Sequence, residues 1–169
     1  MDLIRYAFFE SSLGNIVLVS KAEQLIKLDI RHEGDFVFMK SLRKLYPEGI
    51  ESPEYFQRLC KLLDRYLKGE RIEFNTVEVD FSSLSEFSQK VIEELRRIPY
   101  GELTSYSRIG KRLGYKNAAR AVGQAVSRNP VPIIIPCHRV VREDGSVGGF
   151  SLGLKIKKKL LAAEGITSF

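Results

Sequence analysis

Ile133-Ile134-Ile135-Pro136-Cys137-His138-Arg139-Val140-Val141 sets three polar side chains between two apolar runs, with a proline cutting the first run just before the cysteine. Flanks of this kind are buried, and the polar triplet sits between them. The chain has one other cysteine, Cys60, and neither lies in a CxxC pair or at a zinc-ligand spacing, so neither a disulfide scaffold nor a metal site is expected. Taken alone, a Cys-His pair is commonly inert, because cysteine is among the most buried residue types. Its setting argues for chemistry. The thiolate is the nucleophilic form, and a histidine or positive surroundings lower a thiol pKa, while a carboxylate can orient the histidine. His138, Arg139 and a basic C-terminal half supply those surroundings, and Glu164 is the candidate carboxylate.

Working outward, Asn129-Pro130-Val131-Pro132 and the Gly148-Gly149 loop frame a rigid pocket on either side of the triplet. Upstream, the spacing predicts a helix over about 117–127, capped by Asn117, whose surface is small at Ala118, Ala119, Ala121, Gly123 and Ala125 and from which Arg120 projects. A shorter helix over about 105–113 precedes it across the turn Gly114-Tyr115-Lys116, and the pair reads as a helix-turn-helix. The small residues suit either a tight helix–helix contact or close approach to a nucleic-acid backbone. Ser83-Leu84-Ser85-Glu86 has capping-box spacing and opens a helix bearing Phe87, Val91, Leu95 and Ile98, which Pro99-Tyr100-Gly101 stops. Downstream, Leu154 to Glu164 reads as a closing helix.

The first 30 residues alternate as short strands, with Leu13-Gly14-Asn15-Ile16 supplying turn chemistry, and a small antiparallel sheet follows. Residues 53–68 have helical spacing that puts Cys60 on the buried stripe, and 69–84 read as a connector. The expected fold class is α+β. A small antiparallel-sheet domain with a helix over 1–80 precedes a mostly helical domain over 81–169 that holds the helix-turn-helix and Cys137.

With 169 residues, 44% of them hydrophobic, the chain can bury a real core. It has no apolar run of membrane-spanning length, and its start, Met1-Asp2-Leu3-Ile4-Arg5-Tyr6, lacks a secretion-signal pattern. An intracellular, cytoplasmic monomer is expected. Charge is unevenly placed: 12 Lys+Arg stand against 14 Asp+Glu up to residue 85, and 15 against 7 from residue 86 onward. A basic C-terminal half suits a polyanion, because each phosphate it neutralises releases counterions; a solvated basic face is the plainer account.

Pro136-Cys137-His138-Arg139-Val140 resembles the active-site signature of the O6-alkylguanine-DNA alkyltransferases. Ile98-Pro99-Tyr100-Gly101, Thr104-Ser105-Tyr106, Ala118-Ala119-Arg120-Ala121-Val122-Gly123 and Asn129-Pro130-Val131-Pro132 resemble further landmarks of that family in the same order. The resemblance covers residues 86–166 strongly and the N-terminal half in outline, where it implies a ribonuclease-H-like domain. It implies that Cys137 accepts an alkyl group irreversibly from guanine O6 in double-stranded DNA, with no cofactor. His138 would act as its base through an ordered water, oriented by Glu164, and Asn129 would hold the active-site turn. Tyr106 would help rotate the nucleotide out and protonate the leaving base, while Arg120 would fill the gap. The small-residue helix, with Ala119, Gly123, Ser105 and Tyr106 at its DNA contact, would lie in the minor groove, which reads sequence poorly. Val140, Phe150, Ser151 and Pro132 would form the base pocket.

Two departures from the family pattern stand out. Phe150 replaces a common tyrosine, removing a hydroxyl but keeping a wall, and Leu152 stands where a glycine would leave more room, which predicts poorer acceptance of bulky groups such as benzyl. The zinc ligands of some relatives are missing, since His32 is the only histidine of the first half. Two other classes remain open. A cysteine hydrolase or acyltransferase would turn over, whereas an alkyl acceptor reacts once; a non-catalytic module that binds alkylated DNA would lack the acceptor cysteine. A transcription regulator with a fused alkyltransferase would need further domains.

Overall fold

The computed structural model describes residues 2–31 and 36–168, and of residues 36–39 the backbone alone. In chain order the elements are β1 (Ile4–Ser11), β2 (Gly14–Lys21), β3 (Gln24–Arg31), α1 (Phe36–Leu45), β4 (Ile50–Glu51), α2 (Pro53–Leu67) and α3 (Glu86–Arg96). There follow β5 (Thr104–Ser105), α4 (Tyr106–Arg112), α5 (Ala119–Ser127), a single 3-10 turn (Cys137–Arg139), β6 (Val140–Val141) and α6 (Leu154–Ala163). This is the α+β class expected.

β1, β2 and β3 form an antiparallel meander, and β4 adds a short parallel edge beside β1, giving the order β3-β2-β1-β4. Neither β4 nor α1 follows from the alternation of the first 30 residues. Ile16, Val17, Leu18 and Val19 are all buried because both faces of the sheet are covered. Ile16 and Leu18 join the main core, whereas Val17 and Val19 pack with Tyr6 and Leu42, the latter on α1. Gly14 opens β2 at φ +117°, where a Cβ would meet the Arg31 carbonyl oxygen at 2.8 Å, so the hairpin needs glycine there.

α2 runs as its apolar spacing requires, and Gly69 follows it at φ +91°. Two helix starts differ from expectation. α3 is capped by Ser85, whose hydroxyl accepts from the Ser88 N–H, and not by Ser83. α5 begins two residues after Asn117, which takes a left-handed φ of +56° and closes the turn instead of capping the helix. α4 and α5 pack together as the two arms of the helix-turn-helix.

One main core spans both halves of the chain, joining Leu18, Phe56, Leu63 and Tyr66 to Val91, Leu95, Ile109, Ile135 and Leu160. A backbone hydrogen bond reinforces this join, the Leu28 N–H donating to the Pro130 carbonyl at 2.9 Å, while Leu25 and Asp80 N–H groups donate to the Glu78 and Leu25 carbonyls and tie residues 78–80 to β3. The sheet therefore holds the loop that leads to Cys137. No helix among the described residues is long and apolar enough to cross a membrane.

Candidate active site

Cys137 begins the 3-10 turn behind Pro136 and is 2% exposed. Three features fix this turn. Asn129 donates from Nδ2 to the Ile135 carbonyl at 2.9 Å and accepts the Val131 N–H at Oδ1 at 3.1 Å, so one buried side chain ties both ends of the loop. Ile133 sits at φ +76°, a region costly for a β-branched residue, and is held there by complete burial. Beyond the turn, β6 pairs in parallel with β5, linking Val140 to Thr104.

His138 is fully buried. Its Nε2 lies 2.8 Å from Glu164 Oε1, while Nδ1 has no hydrogen-bond partner among the described residues. Glu164 caps the end of α6 and collects further donors: Arg139 Nε at 3.1 and 3.0 Å, Arg139 Nη2 at 3.0 Å, the Gly101 N–H at 2.9 Å and the Tyr66 hydroxyl at 2.6 Å. Burial alone would raise the Glu164 pKa, but hydrogen bonds and charge from His138, with bonds from Arg139 and Tyr66, bring it down to about 2. Burial lowers the His138 pKa below its ordinary value despite Glu164, so this imidazole is neutral and its free nitrogen can take a proton.

The thiol departs from the sequence expectation. Burial pushes Cys137 up to about 11, opposed in part by a hydrogen bond from Asn129 and by the charge of Lys157. Arg139 is engaged with Glu164 and with the Ile98 carbonyl at 2.5 Å, so its charge is neutralised within that pair. The resting group is a protonated thiol, and its proton must leave as the reaction proceeds.

Cys137 faces a cavity of about 250 Å³ lined also by Tyr106, Gly123, Val126, Ser127, Gly149, Phe150 and Ser151. Tyr106 begins α4, and a Cβ on Gly148, whose φ is +69°, would come within 3.2 Å of its hydroxyl. The glycine is what lets the loop close over the tyrosine. Burial raises the Tyr106 pKa, with a further contribution from Cys137.

Several residues named from sequence sit elsewhere. Val140 and Pro132 do not line this cavity: Val140 lies behind the cysteine with its carbonyl bound by Lys157, and Pro132 lines an adjoining groove with Leu152. Leu152 is thus outside the thiol cavity and does not narrow it directly. Ser105 is buried, its hydroxyl accepting from the Arg108 N–H and donating to Glu143 at 2.5 Å. Gly123 faces the cavity beside the Tyr106 ring, not the outer face of α5. Ala119 and Arg120 are exposed at the start of α5. Among the described residues no cluster of His, Cys, Asp or Glu could hold a metal, and His32 lies outside them.

Sequence reading missed Tyr66 and Lys157. Tyr66 on α2 is fully buried with its hydroxyl among the His138 and Glu164 side chains, and Lys157 on α6 is buried with Nζ on the Val140, Val147 and Gly149 carbonyls. Tyr66 reads as one more apolar position of a helix stripe, and Lys157 as one more member of a basic run.

A buried cysteine that opens on a small cavity, backed by a His-Glu pair and flanked by a helix-turn-helix, defines a protein that joins thiol chemistry to a nucleic-acid-binding element. Residues 4–81 match the family model of the 6-O-methylguanine DNA methyltransferase ribonuclease-like domain, and residues 86–166 match that of its DNA-binding domain. The chain belongs to the 6-O-methylguanine DNA methyltransferase family. It is 37% identical over 163 residues to the methylated-DNA–protein-cysteine methyltransferase of Metallosphaera sedula, covering 96% of this chain and 94% of that one. The corresponding protein of Methanosarcina acetivorans is 38% identical over 162 residues, covering 95% and 97%. The fold matches the crystal structure of Mycobacterium tuberculosis OGT in complex with DNA at a TM-score of 0.81 and 33% identity, over 95% of this chain and 92% of that one.

Proposed function

We propose that this chain repairs duplex DNA by moving the alkyl group of O6-alkylguanine onto Cys137, once per molecule. The observation that carries the proposal is the placement of the Cys137 thiol on the wall of a cavity shared with Tyr106, Phe150 and Ser151, in a chain of this family. The flipped base would enter that cavity between Phe150 and Tyr106, with Ser151 near O6. Sγ attacks the alkyl carbon in line, the carbon–O6 bond breaks, and its electron pair stays with guanine. The thiol proton passes to His138 Nδ1 through a water, and Tyr106 supplies a proton to the departing purine; the phenolate so formed regains a proton from the His138 imidazolium through water, so thioether, neutral guanine and the original Tyr106 and His138 result. Glu164 stabilises the imidazolium, and Asn129 keeps the turn in place.

Ala119 and Arg120 at the start of α5 would meet the minor groove, Arg120 filling the gap left by the extruded nucleotide. Extrusion costs a few kcal/mol, which the plug and the cavity contacts offset. The excess of basic residues from 86 onward supports the phosphate contacts. A division near residue 80 would give an N-terminal supporting domain over 1–80 and a reacting domain over 81–169. The protein would act in the cytoplasm as a monomer.

Intact-mass spectrometry after mixing with a duplex containing O6-methylguanine tests the reading. One added methyl mapped to Cys137, absent in Cys137→Ser, is expected. Unchanged protein mass with continuing product formation would mean a hydrolase, and tight binding without transfer would mean a recognition module.

A further inference from the structure

Three atoms meet at the back of the site. The Tyr66 hydroxyl oxygen is 2.6 Å from Glu164 Oε1 and 3.0 Å from His138 Nε2, and those two are 2.8 Å apart. A phenol carries one proton, and Glu164, held ionised by the buried Arg139 guanidinium, can only accept. The hydroxyl therefore donates to Glu164 and turns a lone pair toward Nε2. That nitrogen then faces two acceptors, Oε1 and the phenol oxygen, so it must hold the proton. Nδ1 is left bare. We propose that Tyr66, contributed by α2 of the N-terminal half, is a positioning residue that fixes His138 in the Nε2–H tautomer and so makes Nδ1 the base for Cys137.

The inference rests on the alkyl-transfer reading for its purpose, but the tautomer can be seen without any transfer. Glu164 would remain ionised without Tyr66, because Arg139 and the Gly101 N–H still bind it. What Tyr66 alone adds is the second acceptor at Nε2 and an edge-on ring contact, 6.4 Å between centroids, that holds the imidazole plane. The hydroxyl keeps its proton, since burial and the neighbouring Glu164 carboxylate raise its pKa well above the ordinary range. The other charged or titratable groups acting on this pair are Arg139 and Lys157, which both oppose protonation of His138, and Tyr100, whose ring packs edge-on against Tyr66. A core tyrosine merely satisfying its hydroxyl would need one acceptor. This one is placed between two members of the relay.

The test is nitrogen-15 NMR of the histidine side chains at neutral pH in the full chain, with His32→Gln used to assign the His138 signals, His32 being the only other histidine. The wild type is expected to show a protonated, pyrrole-type Nε2 and a bare, pyridine-type Nδ1. Tyr66→Phe preserves the ring that packs on Phe74 and Tyr100. It should shift both nitrogens measurably, with a larger Nδ1–H share although Glu164 still favours the proton on Nε2, and slow methyl transfer from an O6-methylguanine duplex about tenfold, the worth of one hydrogen bond to a charged group, with duplex affinity unchanged. A wild-type spectrum with the proton on Nδ1 overturns the inference whatever the variant does, as do identical nitrogen shifts in wild type and Tyr66→Phe. The expected shifts in a protein that transfers no methyl would sink the alkyl-transfer reading and leave the tautomer assignment standing.

Discussion

Lys157 Nζ lies 2.5 Å from the carbonyl oxygen of Val140, two residues past His138, and also donates to the Val147 and Gly149 carbonyls from its place on the first turn of α6. One buried ammonium thus joins the back of the thiol turn to the loop that forms the far wall of the cavity. Burial lowers its pKa to about 8, which makes it a weaker cation than a surface lysine but leaves its donors intact. Lys157→Met keeps length and volume and removes the three bonds. Amide hydrogen exchange over residues 147–151 should accelerate, and methyl transfer should slow by about tenfold or more. Unaltered exchange in that loop would show that the lysine does not hold it.

The Cys137 thiol should react as a buried one. Its pKa near 11 implies that alkylation by iodoacetamide, measured in a Cys60→Ala background, keeps rising with pH beyond 9, whereas an ordinary cysteine levels off past about 8.5. A plateau by pH 8 would mean that the resting group is already a thiolate.

Asn129→Ala leaves the Ile135 carbonyl and the Val131 N–H without their buried partner. Two unsatisfied groups cost roughly 2–4 kcal/mol, and the loop that holds Ile133 at positive φ loses its tie. Urea unfolding should show that loss, together with faster exchange across 131–136.

Acid should unfold the protein through Glu164 and His138. Both folded-state pKa values are depressed, that of Glu164 from 4.5 to about 2 and that of His138 below 6.5. A depressed group stabilises the fold above its unfolded pKa and ceases to do so as pH falls through the folded one. Stability should therefore begin to fall near pH 6 and fall steeply between about 4.5 and 2. Glu164→Gln should be less stable at pH 7, because Arg139 loses its charge partner, yet show a flatter acid limb. Parallel acid limbs in the two proteins would contradict the assignment.

Arg120→Ala should weaken binding to duplex DNA and slow transfer while leaving iodoacetamide reactivity of Cys137 at the wild-type rate, since Arg120 is exposed on α5 and lines no part of the thiol cavity. A change in that reactivity would mean that Arg120 supports the thiol turn and not the DNA.

Local rules carried much of this structure. Alternation over residues 4–31 and 3.6-residue spacing over 53–67 are periodic signals that tertiary packing did not override. Helix starts were less legible at Asn117, whose side chain suits a cap as well as a left-handed turn. The proposed relay of Cys137, His138 and Glu164 could be named because its signature is contiguous with one distant carboxylate to find. Tyr66 could not, because its hydroxyl meets the relay only after the two halves pack on one core, and no spacing encodes that meeting. Ser105 caps α4 and Gly123 lines the thiol cavity, places that residue type alone does not reveal. The raised thiol pKa was hidden for a similar reason. Lys and Arg counts advertise positive charge, whereas burial, opposed in part by Asn129 and Lys157, decides what the sulfur feels.

The burial of Cys137 also bears on how long an unreacted molecule lasts. Burial holds the thiol pKa well above its ordinary value, so little thiolate, the form that peroxides and stray electrophiles attack, is present at pH 7. A protein that works once, as proposed, has to stay unreacted until it meets a lesion. Sulfur held at the wall of a small cavity, with Asn129 fixing the turn that carries it, keeps that reserve intact.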